Sequence, residues 1–200
     1  RASGGLDVQL WPVDGTKPRT ILNTRDRKHL DISWSRDNQF LAIASVFLYS
    51  VGHVAVYDVS SLSHSNPVVA GRDYMTAVAW SPSGNLLAAG NSEGRVFVWD
   101  AALGNLIAST ESHTDSITNL AFAPDSTRLA STSKLGEVRL LDSNTAEELI
   151  PLQSNLRSTI AGGVWNPNGR KIALLDHDGP LAIWGSTFGY AIESPGIVKN

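Results

Sequence analysis

Apolar and polar positions along the chain fall into short alternating runs, and the same arrangement returns four times. "LDISWSRDNQFLAIAS", "AVAWSPSGNLLAAGN", "NLAFAPDSTRLASTS" and "GGVWNPNGRKIALLD" each carry an aromatic residue, a polar turn, and an apolar residue followed by alanine. The aromatics are Trp34, Trp80, Phe122 and Trp165, which stand 46, 42 and 43 positions apart. The apolar–alanine pairs are Leu41-Ala42, Leu87-Ala88, Leu129-Ala130 and Ile172-Ala173. The turns hold Ser-Pro-Ser-Gly, Ala-Pro-Asp-Ser and Asn-Pro-Asn-Gly, residues that preset or tolerate the dihedrals of a tight reversal. Two apolar runs joined in this way predict a β-hairpin. A third run with period-two alternation follows each hairpin: "VAVYD", "VFVWD", "VRLLD" and "LAIWG". Its last apolar residue lies 19 positions after the aromatic in three units and 23 in the first. A weaker fourth run ("PVVA", "NLIAST", "EELIPL") leads into the next unit. No segment shows helical spacing, so the chain reads as all-β.

Four strands per unit at this period, with Tyr57-Asp58, Trp99-Asp100 and Leu141-Asp142 closing the third strands, resemble the WD-repeat β-propeller family over nearly the whole chain. The resemblance implies four-stranded antiparallel blades stacked face to face, because one blade cannot cover both faces of its own sheet. Residues 1–200 then form a single propeller region of about five blades. A partial blade lacking its first strand spans 1–28, with Trp11 at the tryptophan position; further blades span 29–73, 74–114, 115–157 and 158–200. Propellers of this family close with about seven or eight blades, which leads to the expectation that the chain is part of a larger ring. The alternative is a closed five-blade ring in which "GIVKN" supplies the missing strand. An open assembly is expected to associate through its exposed edges.

Well-formed blades of the family share a hydrogen-bonded set of histidine, serine or threonine, turn aspartate and strand tryptophan. No blade here has the full set. His113 is followed by Leu135 and Leu141 at the acid and tryptophan positions. The blade of Trp99 has Gly71 and Glu93, and the blade of Trp184 keeps Asp178 but has Leu156 for the histidine. Apolar packing is therefore expected to hold the blades.

Composition adds exclusions. With 42% hydrophobic and 18% charged residues the chain is an ordinary globular domain, and a net charge of −3 gives no general pull toward nucleic acid or an anionic membrane. No apolar run approaches the roughly 18 residues of a membrane helix. The absence of cysteine excludes disulfides, thiolate metal sites and cysteine nucleophiles. "RASGGLDVQLW" has no apolar signal core and no N-x-[ST] sequon occurs, which leads to the expectation of a cytoplasmic protein. Gly90-Asn91-Ser92-Glu93-Gly94 spells G-x-S-x-G, but the serine of a hydrolase elbow precedes a helix, whereas a strand pattern follows here. Ser92 is read as a turn residue. Asp176, His177 and Asp178 offer too few ligands for calcium and are read as a hairpin turn. The expectation is a non-enzyme without metal or cofactor.

Function is expected on the rim loops of a scaffold or recognition domain that binds a protein or peptide. A ligand-sensing or regulatory propeller in a larger protein is the alternative, ahead of a sugar-binding or enzymatic one. The loops entering the first strands carry Arg25, Arg27, Arg72 and Arg157, with Tyr74 beside Arg72. If they share one rim, an acidic or phosphorylated partner fits, because arginine forks bind carboxylate and phosphate bidentately. The other reading is that interleaved Asp26, Asp73 and Asp115 neutralise them. A four-residue insertion in "SVFLYSVGH" puts Phe47 and Tyr49 where other units have small polar residues, the composition of an interface hot spot. The alternative is that the two strands simply extend. Nucleic acid is not expected, because the repeat aromatics are read as core.

Overall fold

A computed structural model of the chain describes residues 7–22, 27–47, 52–61, 63, 68–69, 73–102, 104–152, 159–177, 181–186 and 192–197. These residues form antiparallel sheets that follow one another along the chain. The first sheet has only β1 (Val8–Leu10) and β2 (Arg19–Leu22). Four blades follow, each a meander in chain order. They are β3 (Arg27–Trp34), β4 (Phe40–Phe47), β5 (Gly52–Asp58) and β6 (Val68–Val69); then β7 (Met75–Trp80), β8 (Leu86–Asn91), β9 (Arg95–Asp100) and β10 (Leu106–Glu111). The third has β11 (Ile117–Phe122), β12 (Arg128–Ser133), β13 (Val138–Asp142) and β14 (Glu148–Leu152). The last has β15 (Ile160–Trp165), β16 (Lys171–Asp176), β17 (Leu181–Ser186) and β18 (Ile192–Ile197).

The turn chemistry explains why the strands end where they do. In all four blades the first hairpin needs a left-handed residue four places after the aromatic: Asn38 (φ 60°), Gly84 (φ 80°), Ser126 (φ 61°) and Gly169 (φ 68°). The aspartate ending each of the first three third strands caps the next turn. Asp58 accepts from the Ser60 and Ser61 amides at 2.8 and 3.1 Å, and Asp142 from those of Asn144 and Thr145 at 2.8 and 3.0 Å. These donors, led by the Ser60 hydroxyl, hold the Asp58 carboxyl below its ordinary pKa.

The core lies between blades. Ala42, Val54, Met75, Val78 and Trp99 fill one junction. Ala77, Val98, Ile117, Phe122 and Leu141 fill the next, and Val138, Leu140, Ile160, Leu174 and Trp184 the third. Leu141 thus packs at a tryptophan position. The first strands β3, β7, β11 and β15 run side by side at the centre. Their inner edges have no sheet partner, and side chains supply one: Asp31 accepts from the Val78 amide at 2.8 Å, and Ser33 from the Trp80 amide at 3.0 Å. Burial raises the Asp31 carboxyl, against the pull of the Val78 and Ile32 amides. Asp31→Ala should cost about 1–3 kcal/mol in urea unfolding by orphaning these amides. An unchanged midpoint would mean that water replaces the carboxylate.

The two ends differ from the interior. β1 and β2 cover Leu41, Ile43, Ala55 and Tyr57 on β4 and β5. They stop short of β3, whose Ile32 and Trp34 pair across to Ile43 and Leu41 yet stand 51% and 43% exposed. Trp11 lies just beyond β1 at 72% exposure, while Trp99 and Trp184 are 3% exposed. At the far end Gly196 and Ile197 belong to β18, which pairs with β17. Val198, Lys199 and Asn200, the rest of "GIVKN", lie outside the described residues. The outer face of the last blade leaves Val164, Leu175 and Leu181 exposed.

Candidate functional site

One rim is built by the loops that enter the first strands and by the turns between second and third strands. The Ser92 amide donates to the Tyr74 carbonyl at 2.8 Å, Lys134 to Ser116 at 2.9 Å, and His177 to Thr159 at 2.9 Å, so each turn is tied to the loop of its own blade. Ser92 lies in a turn followed directly by β9, with Gly94 at φ 80°, as its flanking sequence predicts. Glycine at this turn also admits the next blade. A Cβ on Gly94 would lie 2.2 Å from the His113 carbonyl oxygen, and one on Gly52 would lie 2.0 Å from that of Asp73. Gly52, at the foot of the insertion, therefore sits against Asp73 to Met75. Asn91 is buried, accepts from the amides of Glu93 and Arg95 at 3.1 and 2.7 Å, and donates to Asp73 at 3.1 Å. Above this frame Tyr74 is 44% exposed. A large ring on a clamped backbone meets a partner with little entropy left to lose.

A second knot lies under the rim. His113 Nε2 is 2.8 Å from the Ser131 hydroxyl, and its Nδ1 is 3.4 Å from Glu137, long for a hydrogen bond. Glu137 accepts from the Thr114 amide at 3.0 Å and the Ser133 hydroxyl at 3.2 Å. The network expected to be missing is thus partly rebuilt, with Glu137 two positions beyond Leu135 and Leu135 itself exposed. Burial lowers the His113 pKa to about 4, outweighing the attraction of Glu137, so the ring is neutral at pH 7.

The predicted site residues are placed unevenly. Tyr74 is on the rim. Arg27 and Phe47 are opposite each other in the β3–β4 ladder, so the strands absorb part of the insertion, and Val46 pairs with Gly52. Arg25, Tyr49, Arg72 and Arg157 lie outside the described residues, as does Asp178. Among the described residues no His, Asp and Glu group is gathered for a metal, and no helix is long and apolar enough to cross a membrane.

The opposite rim corrects the reading of the repeat aromatics as core. Phe122 is buried, but Trp80 and Trp165 are only partly so and Trp34 is exposed, and all four line a cavity of about 470 Å³. Trp165 is fixed by its Nε1 donating to the Ala121 carbonyl at 2.9 Å and by the Arg128 guanidinium 4.9 Å from its ring centroid.

Comparison with known proteins agrees with this architecture. The chain is 30% identical over 112 residues to the B-type cell cycle switch protein ccs52A of Medicago truncatula, covering 56% of this chain and 23% of that protein. It is 27% identical over 188 residues to Minichromosome loss protein 1 of Schizosaccharomyces pombe, covering 88% and 22%. With WD repeat-containing protein 1 of Rattus norvegicus it shares 24% over 217 residues, covering 82% and 35%. The chain thus spans well under half the length of each. A chain in the crystal structure of a mitotic checkpoint complex superposes with a TM-score of 0.81 at 20% identity, over 94% of this chain and 60% of that one, a likeness of fold. The model of one family, described as the IFT140 first beta-propeller, matches residues 19–143. Its strand order, its repeats and this match over more than half its length agree: the chain belongs to the IFT140 first beta-propeller family of WD-repeat β-propellers.

Proposed function

We propose that this chain is a non-catalytic recognition domain that binds a protein partner through the rim bearing Tyr74. WD-repeat propellers generally mediate protein–protein interactions. The observation that carries the reading here is the exposed Tyr74 ring on a backbone fixed by Ser92 and flanked by Gly52. The finer reading is an acidic or phosphorylated partner engaging Arg25, Arg27, Arg72 and Arg157, with Phe47 and Tyr49 adding apolar contact; its signature is retention that weakens with salt. A regulatory role within a longer protein is the second reading, favoured by the 22–35% of its relatives' length that the chain spans. A cytoplasmic location is supported by the lack of cysteine.

The test uses wild-type and Tyr74→Ser chains as bait in cell extract. Proteins retained by the wild type should fall about tenfold or more with Tyr74→Ser, on the order of 1.4 kcal/mol or more, at an unchanged melting temperature. Equal retention by both chains would remove Tyr74 from the interface.

A further inference from the structure

The geometry points to a second binding site at the opposite mouth of the blades, which takes a short peptide with a large apolar side chain next to a carboxylate. It is independent of the Tyr74 rim, since Tyr74 precedes β7 and Trp80 ends it. The cavity of about 470 Å³ lies in the range of roughly 300–1,000 Å³ typical of ligand pockets. Its walls are Trp34, Trp80 and Trp165, with Pro82 and Pro124 on the hairpin turns. Such rings offer wide apolar faces at low entropic cost.

Two polar features choose the occupant. Among the described residues, Arg36 is the only charged side chain lining the cavity. Its Nη1 donates to the Pro82 carbonyl at 3.0 Å, which holds the guanidinium at the mouth. Among the described residues no carboxylate is within ion-pair distance of it. An anchored and uncompensated guanidinium beside aromatic faces is complementary to a carboxylate that follows an apolar side chain. The second feature is Trp80, whose ring lines the cavity while its Nε1 is buried with no acceptor among the described residues. Native folds seldom leave such a group unmatched, and a shift of the ring on peptide binding would bring it to a peptide carbonyl. A basic peptide would instead meet Arg36 with like charge.

The test is a titration of the ¹⁵N-labelled full chain with the peptides acetyl-Leu-Phe-Glu-Glu-amide, acetyl-Leu-Phe-Gln-Gln-amide and acetyl-Leu-Phe-Lys-Lys-amide, and with a thymidine oligonucleotide. The indole N–H signals, assigned by single Trp→Phe changes, are the readout. The acidic peptide should shift the Trp34 and Trp80 signals in a saturable way and bind at least about fivefold tighter than the Gln peptide. Arg36→Gln should erase that preference, Trp34→Ala should weaken both peptides, and Tyr74→Ser should change neither. Thermal melts confirm that each variant is folded. The assignment is overturned if the indole signals do not move, if the Lys peptide binds as well as the Glu peptide, or if Arg36→Gln keeps the preference. Binding of the oligonucleotide alone would overturn it in favour of base stacking.

Discussion

Gly94→Ala should destabilise the domain far more than Gly84→Ala, although both glycines have the same backbone conformation, φ 80°. An alanine at Gly84 would meet nothing within 4 Å, so its cost is the left-handed conformation alone, about 1–2 kcal/mol. At Gly94 the new methyl would lie 2.2 Å from the His113 carbonyl oxygen and 2.7 Å from its carbon. Both are main-chain atoms and cannot swing aside as a side chain would. Either the turn or the loop entering β11 must move, and that loop carries His113 into its knot. The total cost should reach about 3–5 kcal/mol, the range of disrupted cores and strained backbones. Urea unfolding of the two variants side by side measures the difference. Equal losses would show that the blades can separate there without penalty.

Acid should destabilise the domain between pH 6.5 and 4, and His113 is the main cause. In the unfolded chain this imidazole takes up its proton near 6.5, while in the folded domain burial delays uptake to about 4. Between these values the unfolded chain binds more protons, so stability falls as pH falls. The penalty is absent above 6.5 and complete below 4. A gap of this size is worth on the order of 3 kcal/mol. Glu137 acts in the same direction at lower pH: burial raises its pKa, but the Thr114 amide, His113 and the Ser133 hydroxyl together lower it further, so the net shift is downward. Asp31 acts in the opposite direction, since its raised pKa means that protonation relieves a buried charge. His113→Gln should flatten the profile between pH 6.5 and 4 while lowering stability at pH 7. A slope that survives the substitution would assign the transition to other groups.

The hairpins were legible because their causes are local. A proline, a residue that tolerates positive φ and two alternating runs are enough to place a turn, as at Gly84 and Gly169. Ser92 was legible for the same reason. Contacts that join distant residues left no comparable mark. Glu137 could not be assigned to His113 from spacing, because it reaches the ring from two positions beyond the usual place of the acid. Asn91 reads as one more turn residue until Asp73 is seen beside it. Residue type misled at the mouth: tryptophan at a repeat position reads as core whether it ends an inner strand, as Trp34 does, or an interior third strand, as Trp99 does. The distinguishing signal was the proline after Ser81, Ala123 and Asn166. It stands two positions after Trp80, Phe122 and Trp165 and so marks these aromatics as strand ends beside a hairpin turn.

The partial cover on the first blade has a consequence for how the molecule comes apart. Each interior sheet is clasped by neighbours on both faces, whereas β3 is bare over Ile32 and Trp34, and the last blade is bare over Val164, Leu175 and Leu181. In a stack held by nearest-neighbour contacts, opening begins where a neighbour is lacking. The sheets of β7–β10 and β11–β14, which share one junction, would be the last to open. For residues 1–200 taken by themselves, loss of structure is then a peeling from both flanks toward the middle, and any single melting temperature averages over it.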